Sequence, residues 1–120
     1  MAEFLIEQNM VPKVLLTIDI VPLDQTMGEK ELRVLIEPCL IRLKALKGSF
    51  DRNTDIQLSV DQFAQEDGSV KRTARFVVLI SVGMQRAQHL QKVIEAYCSL
   101  FRYELPTCLV NAHSEILKFQ

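Results

Sequence analysis

The chain has no tryptophan, only four glycines and four prolines, and no surplus of either charge, for fourteen lysines and arginines face fifteen aspartates and glutamates. So few chain-breakers, in a sequence that is 48% hydrophobic, exclude a collagenous, low-complexity or disordered polymer. A net charge of −1 and a pI near 6.1 leave no overall positive field to gather phosphate backbones or anionic lipid. Nucleic-acid binding would therefore have to rest on a local patch.

Long apolar runs are missing too. None approaches the roughly 18 residues of a membrane span. Met1 to Glu7 has no basic region and only Phe4, Leu5 and Ile6 as consecutive strong apolars, unlike a secretory signal. Cys39, Cys98 and Cys108 are odd in number and lack CxxC spacing, which predicts reduced, buried thiols in an intracellular, cytoplasmic chain. They read as small core hydrophobes rather than metal ligands. Asp61, Glu66, Asp67 and Gly68 lack the spacing of an EF-hand. Neither GxGxxG nor GxxxxGK[ST] occurs. No cofactor and no metal is expected, and 120 residues without a linker or repeat predict one domain, with residues 1–9 as an arm or an extra strand.

What the sequence does have is periodicity. Val14, Leu16, Ile18 and Ile20 alternate with Lys13, Leu15, Thr17, Asp19 and Val21, and Pro22 ends that first strand. Thr26-Met27-Gly28-Glu29 has the form of a capping box. Leu32, Leu35, Ile36, Cys39, Leu40, Leu43 and Leu46 then step by three and four along a helix, supported by a Glu29–Arg33 pair and capped at Gly48. Pro38 predicts a kink or a break within it. Ile56, Leu58 and Val60 resume period two, and Phe63 breaks the parity, predicting a bulge near Gln62. Glu66-Asp67-Gly68-Ser69 is a hairpin turn into Val70–Val82, the candidate central strand. Ala87, Leu90, Val93, Ile94, Tyr97 and Phe101 set out a second helix, with His89 on its wet side. A last strand runs from Thr107 to Phe119.

Strand, helix, strand, strand, helix, strand is the split βαβ order of a ferredoxin-like α+β sandwich. Right-handed crossovers give a four-stranded antiparallel sheet of order 4-1-3-2 with both helices on one face. The even-numbered strand residues would meet the helices. The odd-numbered ones would line an open face, apolar at Leu15, Val77, Leu79 and Leu117 and polar toward Thr17, Asp19, Thr73, Arg75, Asn111 and His113. Contiguous exposed apolar surface marks an interface.

The expected function is thus non-catalytic: an interaction or assembly subunit that forms a homodimer or docks a partner protein through Leu15, Val77, Leu79 and Leu117, with Asp19, Arg75 and His113 giving polar register. The N-terminal Phe4-Leu5-Ile6 folding back over the face is the alternative cover. A second reading is a small RRM-like RNA-binding subunit using a basic cluster of Lys13, Lys71, Arg72 and Arg75. Laid on the RRM strand-three signature, however, only Arg72, Phe76 and Val77 agree. The commoner fate of these cations is pairing with Asp19 and Asp61 across strands. A third reading is a small-ligand-binding regulatory domain, or an acid–base enzyme in which Asp19 and Glu115 flank His113, although no nucleophile accompanies them.

Overall fold

The computed structural model describes residues 13–50, 55–81 and 84–117. The elements are β1 (Lys13–Pro22), α1 (Glu29–Phe50), β2 (Asp55–Ala64), β3 (Val70–Ser81), α2 (Met84–Glu104) and β4 (Cys108–Leu117). The predicted arm at residues 1–9, and Val82 at the predicted end of β3, lie outside the described residues.

Four strands pair antiparallel in the order β2-β3-β1-β4, so β3 and β1 are central and β2 and β4 are edges. This is the sequence-derived order, read from the opposite edge. Alternation decides which side is buried. Val14, Leu16, Ile18 and Ile20 of β1 and Ala74, Phe76, Val78 and Ile80 of β3 form one core with Leu32, Ile36, Cys39 and Leu43 of α1 and Ile94, Cys98 and Phe101 of α2. Both helices therefore cover the even-numbered face. Each fully buried aliphatic or aromatic side chain there contributes about 1.5–3 kcal/mol, less the cost of ordering it. Among the described residues no helix is long and apolar enough to cross a membrane.

The helix start differs from the capping box. Gly28, whose carbonyl accepts from the Leu32 amide at 3.0 Å, sits in the cap position. The Thr26 hydroxyl and amide instead both donate to the Asp24 carboxylate. Those two bonds, the hydroxyl's foremost, hold the Asp24 carboxyl below its ordinary pKa. A local turn thus competes successfully for the side chain that a cap would use. Glu29 pairs with Arg33 at 3.1 Å, as the spacing predicts. The helix runs unbroken through Pro38 and past Gly48 to Phe50, so Pro38 starts no second helix and Gly48 is not the cap. Pro38 is exposed, where a missing hydrogen bond is open to water.

No bulge forms near Gln62. The β2–β3 register is continuous from Asp55 opposite Leu79 to Ala64 opposite Val70. Phe63 breaks the apolar parity because its side chain belongs to the other face, opposite Lys71. The hairpin turn follows the sequence, with Gly68 at φ +84° and its amide donating to the Gln65 carbonyl at 3.0 Å. β4 begins at Cys108, one residue later than expected, because Leu105 to Cys108 closes a turn through a 3.1 Å bond.

Candidate functional site on the open face of the sheet

The odd-numbered residues lie in rows fixed by the pairing. Asp55, Leu79, Leu15 and Glu115 form one row across β2, β3, β1 and β4, and Gln57, Val77, Thr17 and His113 form the next. Ser59, Arg75, Asp19 and Asn111 form the third. Leu15, Val77 and Leu79 are thus neighbours on the central strands, and all are partly exposed. Leu117 stands in register opposite Lys13, one row further out. Its side chain lies outside the described residues.

The third row holds the most ordered feature of the face. Arg75 donates from Nε to Asp19 Oδ1 at 2.7 Å and from Nη2 to Asp19 Oδ2 at 3.0 Å. Its guanidinium also lies 4.0 Å over the centre of the Phe63 ring. The planar fork suits both partners at once, since its edge meets the carboxylate and its face meets the ring. Hydrogen bonding to Asp19 raises the Arg75 pKa above its ordinary value. The result is a neutral Phe63–Arg75–Asp19 layer spanning three strands. Phe63 was not legible as a site residue, although its break in parity was the signal.

The polar end of the face is less bare than the alternation implies. Thr73 and Val21 belong to the odd set, yet both are buried. Gln65, from the β2–β3 turn, reaches over Thr73 and donates to its hydroxyl at 3.4 Å and to the Phe63 carbonyl at 3.0 Å. The Thr73 hydroxyl in turn donates to the Lys71 carbonyl at 3.0 Å. The turn therefore walls one side of a groove of about 680 Å³, lined by Thr17, Asp19, Val21, Leu109, Asn111 and His113 among others. Its fixed charges balance, with Lys71, Arg75 and Arg102 against Asp19, Glu66 and Asp67.

Two sequence-derived constellations do not assemble. Lys13 stands opposite Ser81 at the far end of β3 from Lys71, roughly 33 Å away at the ordinary strand rise. Arg72 is tied by its backbone to Gln25 beside the start of α1, with its amide donating to Gln25 Oε1 at 2.7 Å. The four cations therefore form no single cluster. Asp61 turns its carboxylate to the Gln62 amide at 2.8 Å rather than to a cation. Asp19 is engaged by Arg75, and among the described residues no hydrogen bond joins it to His113, which stands opposite Thr17. Glu115 lies one row further away, opposite Leu15.

On each outer strand one backbone group is engaged by a side chain. Arg102 of α2 donates to the Val110 carbonyl of β4 at 3.2 Å, and the Asp61 carboxylate occupies the Gln62 amide on β2. The three cysteines are buried and free. Burial, aided by Glu104, pushes the Cys39 thiol up to about 11, and burial raises Cys98 and Cys108 as well. They are poor nucleophiles at neutral pH.

No family model and no curated protein matches the chain. Among solved structures, the chain is similar to the de novo designed protein Foldit4 at 14% identity and a TM-score of 0.54, over 86% of this chain and 96% of that one. It is also similar to a de novo designed protein with ferredoxin fold, at 13% identity and a TM-score of 0.45, over 86% and 84% of the two chains. At such identity the first likeness speaks of fold alone.

Proposed function

We propose that the chain is a non-catalytic assembly subunit that docks a partner protein on the open face of its ferredoxin-like sheet. The observation that carries this reading is the adjacency of two surfaces. Leu15, Val77 and Leu79 offer partly exposed apolar area on the central strands, and the next row holds the neutral Arg75–Asp19 pair, whose guanidinium reaches over Phe63. A partner burying both meets Arg75 already neutralised and ordered by Asp19, so less of its contact energy is lost there to desolvation and ordering. Three unpaired thiols fit a reducing, intracellular setting.

The RNA reading draws on Lys71 and Arg75, but Asp19 neutralises one of these and the groove has no surplus of positive charge. An acid–base role for Asp19 and His113 is weakened by the same ion pair. The test is Leu79→Arg, compared with wild type for partner capture and for the far-ultraviolet circular dichroism of the free chain. The reading expects capture to be lost with the spectrum unchanged. Capture unaffected by the substitution would contradict it.

A further inference from the structure

The solvent side of α1 carries an apolar seam that the core does not use. Val34 and Ile41 are 71% and 61% exposed, and with Pro38 between them they line a shallow groove of about 410 Å³. Ala45, also exposed, continues the row. Val34, Pro38, Ile41 and Ala45 step by four, three and four, which is the spacing of a coiled-coil seam, whereas Leu32, Ile36, Cys39 and Leu43 fill the opposite, core-facing side. One wall of the groove is fixed, because Arg42 is held by Glu104 of α2. The other flank carries Glu37 and Lys44, two heptad-equivalent positions of opposite charge, both exposed and neither ion-paired among the described residues.

We infer that this seam is a self-association surface on which α1 of a second copy lies antiparallel about a two-fold axis. The seam is complementary to itself in that orientation. Pro38 meets the partner's Ile41, Val34 meets the partner's Ala45, and Glu37 faces the partner's Lys44, each contact occurring twice by symmetry. In a parallel pairing Glu37 would instead face the partner's Arg42, which Glu104 already engages, and Lys44 would be left without an acid opposite it. Ordering the seam costs little, since Pro38 and Ala45 have no rotamer freedom to lose. One helix face on each side is less than a standard interface, so the dimer is weak and concentration-dependent. This surface lies on the helical side, away from the open face, and does not depend on the partner proposed for that face.

The experiment is sedimentation equilibrium of the full chain at two concentrations about a hundredfold apart, with Ile41→Arg, Glu37→Lys, Lys44→Glu and the double swap Glu37→Lys/Lys44→Glu. Circular dichroism checks that each variant folds. The expected result is a monomer–dimer equilibrium abolished by Ile41→Arg, weakened about tenfold by either single swap and restored by the double swap, with Leu79→Arg without effect. A wild-type chain that is monomeric at both concentrations overturns the inference. So does a dimer indifferent to Ile41→Arg, or one whose double swap is as weak as the single swaps.

Discussion

Asp19 anchors the open face through two guanidinium bonds to a partly buried Arg75. Asp19→Asn keeps the shape but removes the charge and one acceptor, and is expected to cost about 1–2 kcal/mol in urea unfolding. A loss below a few tenths of a kcal/mol would mean that the pair contributes no more than an exposed one. The second residue-scale expectation concerns Cys39, whose folded pKa of about 11 lies above the ordinary 9.0. The unfolded thiol ionises first as pH rises, so the buried thiol's contribution is fully present below pH 9 and is lost between about pH 9 and 11. Stability should fall over that window by about 2–3 kcal/mol more in wild type than in Cys39→Ala, measured by denaturant unfolding at several pH values. Equal slopes would show that Cys39 takes no part. The Arg75–Asp19 pair was legible as the cross-strand pairing preferred for those cations. The Thr26 hydroxyl was misread because Asp24, two residues upstream, competes for it, and sequence spacing alone does not rank a turn against a cap.

At the scale of elements, α1 tolerates a proline because of where Pro38 falls. Its neighbours Cys39 and Ile36 are buried, but the proline itself faces water. Replacement by alanine restores an amide that can bond the Val34 carbonyl and removes the clash with the preceding turn. Pro38→Ala is therefore expected to stabilise the chain by about 1–3 kcal/mol, read from the denaturation midpoint. Destabilisation instead would show that the helix uses the proline's geometry to fit the sheet. Element order, strand pairing and the helix faces were all legible, because periods of two and of three to four are imposed by the core itself. The behaviour of Phe63 was not. A single apolar residue out of phase reads equally as a bulge or as a side chain turned to the other face, and only the continuous register with β3 separates them.

At the scale of the molecule, one face of the sheet is committed to the core, and the two proposals place a partner protein and a second copy on surfaces the core leaves uncovered. The core unites both helices with the even-numbered strand residues, which leaves the odd-numbered ones to present Leu15, Val77 and Leu79 beside the Phe63–Arg75–Asp19 layer. The seam on α1 adds a symmetric surface on the helical side. A face that binds a partner and a helix that binds a copy would together build a two-fold assembly carrying two partners. The apolar half of the open face was legible from alternation. The groove beside it was not, because Gln65 reaches Thr73 only once the hairpin has folded over the sheet.

The most direct test of the open-face claim is site-specific photo-crosslinking in the cells that make the protein. A photoreactive amino acid would stand at Val77 on the face or at Tyr103, which is 84% exposed on α2. Docking on the open face gives a discrete adduct from position 77, absent from position 103 and lost when Leu79→Arg is added. No adduct from position 77, or the same adduct from both positions, would contradict it.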